Sequence, residues 1–587
     1  MLPVAASSYA QQPRDNRTPP GSGDARLTGI VRDARDGRPL RRARVSVTGS
    51  ELQMARVVIT VDDGTFVFDG LPAGRFALSG SKDGHVSANH GAVRPGRPGR
   101  LITLNPGGAA RVELRLPPGA VITGTVIAPD GEPMANVAVS AFIWKYDANR
   151  GERRLTGVAN GTVATDDRGV YRIFGLAEGG YLVAALPRVM SGPGDVQLMS
   201  ANEVRAALAE VRQSLVETRP GIPTSPPQRQ TDVAEPRRSV TLAPVFFPGT
   251  PMQERATPVQ LRAGEVRQAV NIDLDYMSTV LVEGLVTVPQ GMRVQLQMMS
   301  SDPLGMSMGM RTSIASEDGR FSFRSVSPGT YSIVARAYPR DIRTGAMPSE
   351  TGLWAETRVV VAGEDVAGIS LTLLPALSIS GRVILEGTDA RLPELVSLRV
   401  PIPVFLVGGS SSMGVPSAVL DGSRFSIRGV LPGVYRFSSP PRGVRSPVGR
   451  WWLKSMTLNG KEALDSELEL RESTDDAVIT LSERASELSG EVRQAGGIPV
   501  TDGFVVVFSA DPRFWFHNSR RVAGVRLTGD GKYVVRNLPA GDYLLAVTND
   551  IEMNEWFDPE VLKGLVRNAA RVALADNEVK ALNLSPR

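Results

Sequence analysis

Along most of this chain, apolar and polar residues alternate in short runs, the period of a strand with one face in a core and one in water. Ala43–Val47 reads this way, and so do Phe66-Val67-Phe68, Tyr171-Arg172-Ile173, Phe321-Ser322-Phe323, Phe425-Ser426-Ile427 and Tyr533-Val534-Val535. Residues two apart in a strand share a face, so each leading ring and its plus-two neighbour enter the same core. The five runs head one recurring grid. An aliphatic residue follows the ring at plus five, a glycine at plus eight and a second ring at plus ten. The copies are Phe66, Leu71, Gly74, Phe76; Tyr171, Leu176, Gly179, Tyr181; Phe321, Val326, Gly329, Tyr331; Phe425, Val430, Gly433, Tyr435; and Tyr533, Leu538, Gly541, Tyr543.

Turn chemistry frames each copy. Asp63-Gly64, Asp318-Gly319 and Asp530-Gly531 precede the ring as tight hairpin turns, and Gly169 serves the second copy. In the fourth the turn glycine, Gly422, comes one residue early, which predicts a bulge there. The glycine at plus eight is expected to take a positive φ or a sharp turn. Upstream of each copy lies an apolar strand that carries a glycine: Gly29, Gly124, Gly284, Gly381 and Gly490. Two further strands close each unit. The pattern predicts five units, at residues 27–118, 119–276, 277–375, 376–484 and 485–587, after a leader and linker at 1–26. Unit two is interrupted at about 188–240. There Ser200–Glu217 reads as a helix, with Val204, Leu208, Val211 and Leu215 on one face and Ser200 with Glu203 as a capping box, followed by a Pro-rich loop. Short links predict that units three to five form a semi-rigid rod.

Composition suits an all-β chain. Gly 60 and Pro 43 in 587 residues supply many turns, and the hydrophobic fraction of 42% is enough for a core in each unit. With Cys 0 there are no disulfides, thiolate metal sites or cysteine nucleophiles. The net charge is +5, and of the 66 basic residues only seven are lysines. The arginines are spread without a clustered run, so no nucleic-acid partner is indicated. No apolar run is long enough to span a membrane as a helix. Residues 1–10, MLPVAASSYA, read as the remnant of an export signal, with a disordered tail as the plain alternative.

The glycine-bearing opening strand and the D-G-x-(F/Y)-x-F…L-P-x-G-x-Y grid resemble the carboxypeptidase regulatory-like (transthyretin-like) β-sandwich family, which is similar in fold to Cna-B modules. The likeness covers nearly all of residues 27–587. It implies an all-β tandem array of five seven-stranded transthyretin-like β-sandwiches with one inserted helix in unit two. It also implies a non-catalytic accessory module in an exported protein, of the kind seen in acidobacteria. Cna-B modules often carry a Lys–Asn isopeptide bond. Unit three has no lysine, so no such bond occurs in every unit.

Candidate chemistry is sparse. His85 and His90 lack a third ligand for zinc, the acidic turns hold too few carboxylates for calcium, and no nucleophile or phosphate-loop motif appears. No cofactor is expected. The better lead is the aromatic residues outside the grid, because flat exposed rings stack on sugars. Phe514, Trp515 and Phe516 in unit five, with Trp556 later in that unit, Trp144 in unit two and Trp451 in unit four, form the candidate glycan-stacking set. Burial at the ends of the sandwiches is the structural alternative for the same rings. The chain thus reads as a monomeric, non-enzymatic exported scaffold, in the periplasm, secreted or on the outer surface. Its partner would be a polysaccharide, another cell-envelope component or an envelope protein. The second reading is an accessory or regulatory subunit of a separately encoded peptidase or outer-membrane transport system.

Overall fold

A computed structural model of the chain describes residues 23–147, 152–187, 205, 208–209, 240–300, 310–339, 352–387, 399–400, 404–406, 418–421, 423–437 and 451–586. The leader at 1–22 and nearly all of the inserted helix and Pro-rich loop lie outside the described residues. Of the expected helix, Arg205, Leu208 and Ala209 are described, helical and exposed.

Strands make almost all of the described regular structure. Unit five shows the plan. Lys532–Arg536, Glu487–Glu491 and Val579–Ala581 form one sheet, while Val522–Arg526, Phe504–Ser509, Gly541–Thr548 and Ala570–Leu574 form the other. A separate buried cluster occupies each unit, with the grid residues at its centre. Phe66, Tyr171, Phe321, Phe425 and Tyr533 are all buried, as are Phe76, Tyr181, Tyr331, Tyr435 and Tyr543.

The glycine of the opening strand has a cause that recurs. That strand lies between the grid strand, which runs antiparallel to it, and a closing strand, which runs parallel. A carbonyl of the closing strand presses into the space where a Cβ would stand. The separation would be 2.0 Å from Val270 O at Gly124, 1.7 Å from Ala477 O at Gly381 and 1.9 Å from Leu582 O at Gly490. The leading ring uses the same crowded place. Tyr171 and Tyr533 each donate their hydroxyl to that carbonyl, Val270 O and Leu582 O, at 2.6 Å. In units one and three Phe66 and Phe321 lay a ring edge against the glycine instead.

The second ring is fixed by a bond to its own turn. Tyr181, Tyr331, Tyr435 and Tyr543 donate to the carbonyls of Ala177, Ser327, Leu431 and Pro539, at 2.6–2.9 Å and four residues back in each case. Tyr543→Phe is therefore expected to lower stability by about 1 kcal/mol, the net worth of one buried hydrogen bond plus an orphaned carbonyl. Urea unfolding followed in unit five checks this, and an unchanged midpoint contradicts it.

Three expectations need correction. The acidic turns are tight, with Gly64 N donating to Val61 O at 2.9 Å, but they do not join hairpin partners. Arg56–Ile59 belongs to one sheet and Thr65–Leu71 to the other, so the turn carries the chain across the sandwich. In unit four, where a bulge was expected, Ala418–Asp421 pairs directly with Arg424–Val430 across the two-residue step 422–423. Gly422 itself lies outside the described residues. Finally, a helix unexpected from sequence, Pro559–Leu565, stands in unit five, capped by Asp558, whose carboxylate accepts from Glu560 N at 3.0 Å. The Asp-Pro-Glu start was a readable signal for it.

A feature not expected from the repeat also recurs. The residue at plus four of every grid, Gly70, Gly175, Ser325, Gly429 and Asn537, has a φ of 55–81°. In units one to four it falls at or beside a register shift between the grid strand and the opening strand. It is an αL bulge of the kind glycine and asparagine tolerate best.

Candidate functional site

The candidate rings meet different fates. Trp515 is buried, its indole N–H donating to Ser509 O at 2.7 Å and its face set edge-on to Phe508 at 5.6 Å. Trp556 is buried over Gly524 and tilted on Phe504 at 5.8 Å. Together with Ile551 and Leu562 these rings form a second apolar layer on the outer face of the sheet that contains Phe504–Ser509. That strand is buried at every position, as its unbroken apolar run (FVVVFS) implies for a strand covered on both faces. Trp451 is buried in the core of unit four. Phe514 lies under Arg513 and Arg521, at 4.9 and 4.6 Å, and Phe516 lies under Arg436 of unit four at 4.1 Å. An arginine over the ring occupies a face on which a sugar would stack. Trp144 differs, with 52% of its surface exposed.

The structure gathers the remaining functional groups at the surfaces where units meet. Unit five is the hub, lying against units one, two and four rather than at the tip of a rod. Its segment 550–558 carries Asp550, Glu552, Glu555 and Asp558. From unit one, Arg97 is buried and reaches Asp550 at 2.6 Å and also Glu555, while Arg94 reaches Asp550 at 2.9 Å. From the long hairpin of unit two, Lys145 meets Glu552 at 2.5 Å and Arg153 meets the buried Asp558 at 2.9 Å. Asp558 thus caps its own helix and anchors another unit at once.

On the opposite side, Asp465 of unit four receives both Arg520 and Arg521. Arg520 Nε and Nη2 each donate at 2.8 Å, a bidentate geometry that fits a carboxylate closely. Beside it, Lys454 of unit four bridges Glu386 and Asp576, at 2.7 and 2.8 Å. No sequence signal marked Arg97, Asp465 or Arg520, because each is one charge among many evenly spread ones and its partner is remote in the chain.

Where units two, four and five converge, His517 packs against Tyr146 of unit two (6.3 Å between ring centres) and Phe557 (5.6 Å). Burial pulls the His517 pKa down to about 4, partly opposed by Asp147, while Arg436 adds to the lowering. The exposed imidazole titrates near 6.5, so the packed junction binds fewer protons than the open one. Its stability is full above pH ~6.5 and falls as the pH drops from there toward 4. Amide hydrogen exchange around 514–519 should accelerate at pH 5 relative to pH 7, after correction for intrinsic rates, and His517→Gln should flatten the difference.

His85 and His90 do not converge on a metal. His85 Nε2 lies 3.1 Å from Asp33, and His90 Nδ1 lies 3.2 Å from Glu113 O. The acidic turns use their carboxylates locally: Asp63 accepts from Thr65 N, and Asp166 from Val170 N. Among the described residues no cluster of three or more potential ligands could hold a metal. Likewise no described helix is long and apolar enough to cross a membrane. Two surface cavities, of about 230 and 270 Å³, fall below the ~300 Å³ at which small-molecule sites begin.

Residues 26–117, which span unit one, match the model of the carboxypeptidase regulatory-like domain. That stretch is thus similar to a regulatory-like domain. The same grid, with buried rings and a crowded opening glycine, recurs around Gly124, Gly284, Gly381 and Gly490. No curated protein matches the sequence. Among solved structures, the Streptococcal ancillary pilin is 10% identical with a TM-score of 0.20, covering 60% of this chain and 99% of its own. The major pilin subunit of Bacillus cereus is 11% identical at 0.14, covering 80% and 99%. The minor pilin of Streptococcus agalactiae is 13% identical at 0.19, covering 43% and 95%. At such identities and scores these likenesses say nothing about function.

Proposed function

We propose that the chain is a non-catalytic exported scaffold that presents a polysaccharide-binding surface at the cell envelope. It would be built from five sandwich domains at 27–118, 119–276, 277–375, 376–484 and 485–587. The observation that carries the ligand reading is Trp144. It projects from the hairpin Ala138–Asp147 and Glu152–Ala164 with half its surface open, while its neighbours Lys145 and Arg153 clamp that hairpin to unit five. An indole held by a fixed hairpin offers a flat face at small entropic cost, the arrangement that sugar stacking requires. The regulatory-like match of unit one supports an accessory role rather than a catalytic one.

The test is retardation of residues 23–587 in gels containing cell-wall and soil polysaccharides. Retardation by one polymer class, lost in Trp144→Ala with an unchanged melting temperature, is the expected result. No retardation by any polymer retires the glycan reading and leaves the accessory-subunit reading, which predicts a stable complex with another envelope protein.

A further inference from the structure

Unit one ends on one side in the strand Arg56–Ile59. It is paired with Arg44–Thr48 and, among the described residues, with no strand beyond it. Its register sets Arg44 opposite Ile59 and Ser46 opposite Val57, and Thr60 N donates to Ala43 O at 2.9 Å. In an antiparallel ladder, alternate residues bond to alternate sides. Arg56, Val58 and Thr60 therefore bond inward, and the N–H and C=O groups of Val57 and Ile59 point out of the sheet. The side chains of these two residues are exposed as well, Ile59 at 67%, and exposed Met54 and Val61 lie beyond them on either side.

Such an edge is usually blunted by a charge, a proline or a bulge. Residues 57–61, VVITV, hold none of these. The single basic residue, Arg56, is turned away and donates to Gly70 O and Asp69 O at 3.1 and 2.7 Å. Three corresponding strands differ. In unit two Glu152–Ala164 opens with Glu-Arg-Arg, in unit three Arg311–Ile314 carries polar Thr312 and Ser313 where unit one has two valines, and in unit five Trp556 covers Gly524 of Val522–Arg526. Arg75, Arg94, Arg97 and the Gly99 carbonyl, which accepts from Arg526, make the polar contacts of unit one with unit five. None of these lies on the edge strand.

The geometry points to a second copy of this chain as the occupant, paired edge to edge through the strand Arg56–Ile59. A twofold axis at Val58 sets Val57 of each copy opposite Ile59 of the other. All the outward N–H and C=O groups of Val57 and Ile59 then find partners, in four hydrogen bonds. The four β-branched side chains meet on one face, the pairing that favours a sheet. Neighbouring registers fit less well. An axis at Ile59 would need Val61 N, which already donates to Thr65 O at 3.1 Å. With the axis at Val58, Arg56 faces Thr60 rather than its own mate, so like charges are not opposed. A twofold pairing also covers both open edges at once, whereas an unrelated strand would carry its own second edge into solvent. This departs from the monomer expected from the sequence.

Sedimentation equilibrium of the full chain across a wide concentration range tests the proposal. Wild type is expected to show a reversible monomer–dimer equilibrium, and Ile59→Lys to weaken it by at least about tenfold by placing like charges across the axis. Val67→Lys, at another exposed valine of unit one outside this strand, should leave it unchanged. Hydrogen exchange at the amides of Val57 and Ile59 should slow as concentration rises, which a different interface would not produce. A wild-type chain that stays monomeric throughout overturns the proposal. So does a dimer that survives Ile59→Lys, or one in which those two amides stay unprotected.

Discussion

Asp465→Ala is expected to cost about 3–5 kcal/mol at the junction of units four and five, the usual effect of removing one partner from a buried ion pair. The carboxylate receives four N–H donors, from Arg520 at 2.8 and 2.8 Å and from Arg521 at 3.1 and 3.0 Å. Arg520 is itself buried, so without Asp465 its charge would stay in a poorly solvated place, facing Glu462 at 3.6 Å and the Lys454 carbonyl. Burial pushes the Asp465 pKa up, but the bonds and charges of the two arginines outweigh it and hold the carboxyl below its ordinary value. The sign follows. The stabilisation is present above the unfolded pKa near 3.9 and is lost as the pH falls below it. Denaturant unfolding monitored by fluorescence, with hydrogen exchange over 509–521, checks both points. A variant within about 1 kcal/mol of wild type, the ordinary effect of a surface change, would show that the arginines do not hold unit five in place.

Gly381→Ala is expected to cost about 3 kcal/mol or more, at the upper end of what overpacking does. A Cβ there would stand 1.7 Å from Ala477 O and 2.9 Å from Ala477 Cα, both of them backbone atoms that a rotamer change cannot move. The parallel pairing of Leu377–Glu386 with Thr474–Ser482 already shifts register between Ile379 and Gly381. Alanine would force the closing strand away and open the core of unit four, where Phe425 and Ile479 lie. Gly157→Ala is the control. It too stands in a strand, but its nearest prospective neighbour is a ring carbon at 4.0 Å, so the change should be close to neutral. Differential scanning calorimetry of the two variants separates a crowded glycine from a permissive one. Equal melting temperatures would contradict this account of the opening strand.

The repeat was legible because both of its periods are local. Alternation over three residues places Phe66 and Phe68 in one core, and the fixed offset to Phe76 marks where the next strand begins. The opening glycines were visible as a recurring residue, but their reason was not. A carbonyl brought alongside from as far away as Ala477 is to Gly381 leaves no trace near the glycine. The turn at Asp63-Gly64 misled for a related reason. Turn chemistry specifies a tight reversal, while the choice between staying in one sheet and crossing to the other is made by strands that pair elsewhere. The αL residue at plus four was concealed by its variety, since Gly70, Ser325 and Asn537 share a backbone angle and not a side chain. Among the aromatics, an exposed and a buried tryptophan look alike in sequence. The clue was in the strand beneath them, since FVVVFS has no wet face and so announces a cover.

The docking of unit five on unit one has a consequence for how the protein is made. Arg94 and Asp550 are 456 residues apart, and Arg97 and Glu555 are 458. At ribosomal rates of about 5–20 residues per second, roughly 20–90 s pass between synthesis of the arginines and of the carboxylates they require. Unit one, which carries its own core, can be folded through that interval with Arg94 and Arg97 still bare. Closure therefore waits on the synthesis of residues 550–555. Until it occurs, the nascent chain carries a basic site that an acidic helper near the ribosome could hold.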